Sequence, residues 1–397
     1  MTSFEADSTV AANGSAPRPN ALSKYEVIYQ ELQNKILSGT YAVGDRLPSE
    51  SALVRMYGVS RPTAAKALQE LVVSGLIERK AGSGSFVSDK KRTKASERTV
   101  PQLGLLMPGL ENTEIFEMIS GQLASLARNR DYTLVWGGLH GSYGKLNNPE
   151  PENTFKLCRQ LIERKVNGVF FAPFECSKSK EEINRKVLDE LSQAGITVVL
   201  LDRDVHAFPR RSNWDLVGID NLAAGYMMAD HLLKLGCRKL CFFTRPYAAP
   251  TVDARIAGIR EALLRHGVRP EAKWVIEGNP EDPAVIADMM AGNRWDACIC
   301  GNDRTAAQVL QSLMRRGVRV PGDIRLAGFD DVKYATLIAV PLTTVYQPCD
   351  EIATLAFEAM LRRMDNPLAP ACSFVATPRL VVRESCGTYT ATDRGPA

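Results

Sequence analysis

From residue 103 to residue 328, short apolar runs alternate with amphipathic stretches, and this restricts the fold more than any other feature. The runs occupy residues 103–107, 132–136, 168–172, 197–201, 216–219, 240–243, 297–300 and 324–328. Between and after them, apolar residues recur at helical spacing over 115–129, 154–165, 181–194, 223–235, 253–266, 283–291 and 304–316. A fully apolar run of four or five residues suits a strand buried on both faces. Strands that alternate with helices build parallel sheets covered by helices on each side. About 300 residues exceed a comfortable single doubly wound domain, so two sheets are expected.

The first quarter of the chain follows a different plan. Tyr25, Ile28, Leu32 and Ile36 repeat at helical spacing up to Gly39. Ser49 can cap a short helix that carries Leu53 and Met56 and stops near Gly58. Ser60 is placed to cap a third helix, where Pro62 is tolerated because first-turn N–H groups have no intrahelical partner. Two short strands, at 76–79 and 85–87, then flank the glycine-rich tip at 80–84. Three helices followed by a hairpin make a winged helix-turn-helix. The expected organisation is multidomain: a tail at 1–22, a winged domain at 23–88, a basic linker at 89–100, an α/β unit at 101–388 and a tail at 389–397. Two lobes are expected in the α/β unit, one from about 101–219 and 347–375, the other from about 220–345 and 376–388.

Charge is partitioned to match. Residues 1–99 hold 14 Lys and Arg against 10 Asp and Glu, and the remainder holds 35 of each, so the net +4 sits in the first quarter of the chain. That excess belongs to the first quarter as a whole, winged segment and basic linker together, and that is where contact with phosphates is expected. Nine scattered cysteines without a Cys-x-x-Cys pair argue for a reducing, cytoplasmic setting rather than a disulfide framework. No apolar run reaches the roughly 18 residues that span a bilayer. The opening 22 residues lack the basic start and apolar centre of a signal peptide.

The segment from Tyr41 to Glu50, the turn Tyr57-Gly-Val-Ser-Arg-Pro-Thr63, and Gly75-Leu-Ile-Glu-Arg79 with Gly82-Ser-Gly-Ser-Phe-Val87 resemble the GntR family of winged-helix regulators. The resemblance implies that Ser60, Arg61 and Thr63, at the start of the third helix, face base edges in the major groove of double-stranded operator DNA. It adds Arg46, Ser49, Lys66 and Lys80, and the wing residues Gly82, Ser83 and Gly84, whose glycines let the backbone approach a groove. Lys66 reads equally well as a solvent-facing residue. Ser51 and Ala65 depart from the basic residues common in the family, which shifts the readout toward Arg61, Lys66 and the wing.

The later motifs resemble the sensor of the LacI/GalR family, which is built like periplasmic sugar-binding proteins. They include Leu103-Gly-Leu-Leu-Met-Pro108, Val217-Gly-Ile-Asp-Asn221, Arg255-Ile-Ala-Gly258, Cys300-Gly-Asn-Asp303 and Gly328-Phe-Asp-Asp331. A GntR reader joined to this sensor is an arabinose-repressor-like arrangement. Arg255, Asn302 and Asp330 each fall just after an expected strand or at a helix start, where open α/β sheets hold ligands. An Asp accepts two donors, an Arg offers a fixed fork and an Asn does both, so the trio suits a sugar. Asp202 matches a further pocket carboxylate of the family. Phe116, Trp136, Phe174 and Trp214 read either as a ring platform for a sugar face or as core packing. Arg255 reads as a ligand contact or as half of a buried ion pair, and Asp220, Asp303 and Asp331 read as caps or hinge residues.

No catalytic constellation, cofactor or metal site is indicated: the four histidines lie at no ligand spacing, and neither Gly-x-Ser-x-Gly nor a phosphate loop occurs. The expected function is a ligand-responsive transcription regulator, a homodimer controlled by a small molecule, with a sugar favoured. A nucleobase or other metabolite as effector, or a sugar-binding module without a DNA role, are the alternatives.

Overall fold

The computed structural model describes residues 24–74, 76–80, 84–88, 100–107, 114–137, 151–291 and 295–388. The expected tails, the basic residues of 89–99 and the wing-tip residues Gly82 and Ser83 lie outside them. The chain divides into two compact units, Met1–Thr99 and Val100–Ala397.

In the first unit, helices α1 (Lys24–Leu37), α2 (Glu50–Tyr57) and α3 (Arg61–Val73) precede strands β1 (Ile77–Lys80) and β2 (Gly84–Val87), paired antiparallel. Local chemistry sets each boundary. Ser49 accepts a hydrogen bond from the Ala52 N–H at 3.3 Å, and Gly58 closes α2 in the left-handed region that glycine tolerates. Ser60 accepts from the Thr63 N–H at 3.4 Å and opens α3, with Pro62 in the first turn. Ile28, Leu32, Leu53, Leu68 and Leu71 meet in the core with Ile77 and Val87 of the hairpin. Each such side chain contributes roughly 1.5–3 kcal/mol on burial.

The second unit holds two six-stranded sheets. The first consists of β3 (Gln102–Leu106), β4 (Thr133–Gly137), β5 (Gly168–Phe171), β6 (Thr197–Leu201), β7 (Asp215–Ile219) and β13 (Ser373–Ala376), all parallel, in the order β4-β3-β5-β6-β7-β13. The second consists of β8 (Leu240–Thr244), β9 (Val275–Glu277), β10 (Ala297–Cys300), β11 (Arg325–Asp330), β12 (Thr343–Tyr346) and β14 (Arg379–Val381), in the order β9-β8-β10-β11-β12-β14. Here β14 alone runs antiparallel. Helices α4 (Ile115–Asn129), α5 (Pro151–Glu163) and α6 (Lys180–Gln193) belong to the first sheet. Helices α7 (Asn221–Lys234), α8 (Pro250–Arg265), α9 (Pro283–Met290), α10 (Asp303–Arg315) and α11 (Tyr334–Leu337) belong to the second.

Helix α12 (Cys349–Asp365) crosses back to pack on α4 and on strands β5, β6 and β7. Its Arg363 grips the buried Asp215 through both Nε (2.8 Å) and Nη2 (3.0 Å), which ties the helix to the first sheet. The chain thus passes between sheets three times: from β7 to α7, from β12 to α12, and from β13 to β14.

Helices α7 and α8 meet closely. A Cβ on Gly225 would overlap the backbone of Arg255, and one on Gly258 would overlap the carbonyl of Leu222. Bare backbone at these two positions lets the helices touch, and that contact fixes where Arg255 stands.

Candidate functional site

Glu50 organises the exposed face of the winged unit. Its carboxylate accepts from Arg79 at 3.0 Å and pairs with Arg61 at 3.5 Å. The Arg61 side chain remains 76% exposed at the first residue of α3. Arg46, Ser49, Arg61, Lys80 and Gly84 share the lining of one concave surface with Glu50 and Arg79. Gly84 has φ +115°, and a Cβ there would come 2.9 Å from Arg46 Nε, so the glycine admits the guanidinium. Ser60 and Thr63 are joined by a 2.7 Å hydroxyl contact. Lys66 sits 3.9 Å over the Tyr25 ring, and Lys80 pairs with Glu78 at 3.1 Å.

In the second unit a cleft of about 720 Å³, counted with its open mouth, lies at the carboxyl ends of strands from both sheets. Asp202 follows β6; Arg255 comes from α8; Asn302 follows β10; Asp330 ends β11. All four line the cleft.

The Arg255 guanidinium is buried and fixed on three sides. It donates to Asn221 Oδ1 (2.9 Å) and to the Gly301 carbonyl (2.6 Å), and it stacks 4.5 Å over Phe329. Its Nη2 lies 3.8 Å from Asp330 Oδ1, an ion pair too long for a hydrogen bond. Asp330 Oδ1 accepts from Gln347 Nε2 at 2.7 Å. Opposite, Arg203 lies between two carboxylates, at 3.0 Å from Asp202 and 2.5 Å from Glu175. Burial opposes its charge, but those carboxylates outweigh burial and hold it firmly protonated.

Two carboxylate bearers of the cleft have left-handed backbone, Asp202 at φ +66° and Asp330 at φ +115°. Non-glycine residues hold this conformation at a cost of about 1–3 kcal/mol, and such strain concentrates at binding sites. Asp202 Oδ1 and Gln347 Oε1 are buried acceptors without a hydrogen-bond partner. The lobes also touch at the rim, where the Cys176 N–H donates to the Tyr247 carbonyl (3.0 Å) and the Lys333 N–H to Glu114 (3.3 Å).

Comparison with known proteins agrees with this geometry. Residues 24–87 match the bacterial regulatory proteins of the gntR family, and residues 229–386 match the periplasmic binding protein-like domain. The chain is a transcriptional regulator that joins a gntR-family domain to a periplasmic binding protein-like sensor. The regulator is 25% identical to the arabinose metabolism transcriptional repressor of Geobacillus stearothermophilus, over 93% of this chain and 99% of that one. It is 28% identical to the HTH-type transcriptional repressor PurR of Vibrio vulnificus, over 84% and 97%. A solved transcriptional regulator CelR–cellobiose complex aligns with TM-score 0.61 and 19% identity, covering 85% of this chain and all of that one. At that identity the likeness shows the fold.

The regulator's aromatic residues do not take the places expected of a ring platform. Phe116, Trp136 and Phe174 are absent from the cleft lining among the described residues. Phe116 packs in the core beneath Arg203, whose guanidinium lies 5.2 Å over its ring. Trp136 is 45% exposed near the end of edge strand β4. Phe174 is buried, with its backbone held at both N–H and carbonyl by Asn184. Trp214 packs against the other core of the first lobe. Asn302 combines two roles: its Oδ1 caps α10 through the Thr305 N–H at 2.8 Å, while its side-chain amide keeps donor capacity. Asp220 caps α7, Asp331 pairs with Arg383 at 2.6 Å, and Asp303 is buried against Thr344.

The charged and amide side chains of the cleft missing from the sequence reading are Glu175, Arg203, Arg245, Arg304 and Gln347. Each stands within a few positions of a strand's carboxyl end, where the rule that selected Asn302 and Asp330 applies as well.

Proposed function

We propose that the cleft binds a small hydroxyl-rich effector of the sugar class, and that its occupancy sets the affinity of the winged helix for double-stranded operator DNA. The observation that carries this reading is the pair of partnerless buried acceptors, Asp202 Oδ1 and Gln347 Oε1. Buried polar atoms without partners are rare, and hydroxyl donors satisfy them. Arg255 and Asn302 supply donors on the facing wall. A ligand touching both walls stabilises one arrangement of the lobes over others, and that differential contact is what moves a population. The relative solved with cellobiose holds a compound of this class.

The regulator acts by binding alone, without catalysis. One winged helix offers few base contacts, so useful specificity requires a homodimer on paired half-sites. Arg61, with Arg46, Lys80 and the wing, carries the DNA contact, and Ser49, Ser60 and Thr63 shape the helix ends that present it. All nine cysteines are free thiols, in keeping with a cytoplasmic location. A nucleobase effector is disfavoured because no aromatic ring lines the cleft among the described residues.

Titration calorimetry of the full chain against pentoses, hexoses, sugar derivatives and nucleobases tests the reading. A hydroxyl-rich compound is expected to bind, and Asp202→Ala to weaken it about 10-fold or more, the effect of one charged hydrogen bond. Binding of nucleobases alone, or equal affinity in Asp202→Ala, contradicts it.

A further inference from the structure

The charges in the cleft are unevenly distributed. Glu175, Asp202 and Arg203 form one cluster with a net charge of −1, and Arg255 pairs with Asp330. Arg245 and Arg304 remain on the opposite side, both lining the cleft and both half-buried. Arg245 donates to the neutral Gln308 amide oxygen at 2.8 Å, and neither arginine forms an ion pair among the described residues. Burial and the nearby charge of Arg304 both lower the pKa of Arg245, and Glu281 offsets this only in part. Two like charges in a half-buried wall repel unless a counter-ion joins them.

Local backbone reinforces the same sign. Helices α8 and α10 both begin at the cleft, through Thr251 and Thr305, and present their positive ends there. Asp303, in the first turn of α10, cancels little of this, since burial and the Asp330 charge push it toward its neutral form.

We infer that the effector is an anionic polyol, a sugar carrying a phosphate or a carboxylate, whose anionic group docks between Arg245 and Arg304 while its hydroxyls meet Asp202, Gln347 and Asn302. This rests on the proposed sugar-class reading and deepens it. Arginine pairs suit this task because the guanidinium fork matches oxyanion geometry and stays charged.

The test is calorimetry of the full chain with matched probes: ribose, ribonate and ribose 5-phosphate; glucose, gluconate and glucose 6-phosphate; and inorganic phosphate. An anionic member of one series should bind at least about 10-fold tighter than its neutral parent. Phosphate and carboxylate forms within that series show which anion is preferred. Arg304→Gln and Arg245→Gln should each lower that affinity about 10- to 150-fold, the worth of a charged hydrogen bond, with less effect on the neutral parent. Arg304→Lys should restore part of it. A neutral sugar binding as tightly as its anionic forms overturns this inference but leaves the sugar-class reading standing. Binding by none of the anionic sugars overturns it too, as does unchanged affinity in both glutamine variants of well-folded protein. Inorganic phosphate matching the best sugar phosphate removes the polyol part.

Discussion

Gln347 Nε2 donates a 2.7 Å hydrogen bond to Asp330 Oδ1 and so links a point where the chain changes lobes to the wall of the cleft. Gln347 directly follows β12, just before α12 returns to the first lobe, whereas Asp330 ends β11 of the second. A ligand that engages Asp330 therefore also acts on a crossing segment. Gln347→Ala should leave the Arg255–Asp330 pair in place and reduce the coupling between effector and DNA by about 0.5–2 kcal/mol. Measuring DNA affinity with and without effector gives that coupling directly; an unchanged ratio would remove Gln347 from the pathway.

The contact between α7 and α8 leaves no space for a methyl group at Gly225 or Gly258. Overpacking against backbone, which cannot rotate away, destabilises by about 1–3 kcal/mol. Gly225→Ala should lower the melting temperature of the sensor by about 2–4 °C per kcal/mol. It should also weaken effector binding, since Arg255 must shift. Calorimetric melting alongside ligand titration checks both, and a stable variant with full affinity would show that the helices can separate freely.

Arg61 is exposed, and its contact with Glu50 is long. Exposed ion pairs contribute about 0–1 kcal/mol, so Arg61→Ala should hardly change stability. At the operator the same change should remove about 1–3 kcal/mol, and affinity should fall steeply with salt. Fluorescence anisotropy on operator DNA decides; full affinity in Arg61→Ala moves the readout elsewhere.

Asp303 governs one pH response. Burial, then the charge of Asp330, pushes its carboxyl well above the usual range, against opposing hydrogen bonds from Thr344 and the Val332 N–H. Between its unfolded value, about 3.9, and the raised folded value, the native state binds more protons than the unfolded state. Stability from this group is therefore fully present below the unfolded value and declines as pH rises toward the folded one. Asp303→Asn removes this titration, so its stability relative to wild type should rise as pH increases above about 4. Thermal melts across that range show the slope, and parallel curves would mean that Asp303 ionises normally.

Every one of the eight apolar runs became a strand, from β3 to β8 together with β10 and β11; all but the edge strand β4 are largely buried on both faces, which requires apolar residues throughout. Edge strands β9, β13 and β14 lack such runs: three or four residues long and largely half-buried or exposed, they carry little pattern. Helix α12 had a readable repeat in Ile352, Ala353, Ala356, Phe357 and Met360, all buried. Asn302 and Asp330 were legible as cleft residues from their places at strand ends, Arg255 from its place near a helix start, and Asp202 from the family resemblance. Arg203, two positions beyond β6, falls under the same placement rule, but its pairing with Glu175 is brought about only by the fold. The aromatics stayed ambiguous because a ring in a core and a ring in a cleft look alike in sequence.

The central claim is that occupancy of the cleft governs DNA affinity. The direct measurement uses the full chain and a DNA duplex that it has selected from a random-sequence pool, with dissociation constants read by anisotropy in the absence and presence of saturating effector. The wild type should change its affinity by about 5- to 150-fold, while Asp330→Ala should bind DNA normally without effector and show no change on its addition. A wild-type constant unmoved by saturating effector, or an intact response in Asp330→Ala, would contradict the account.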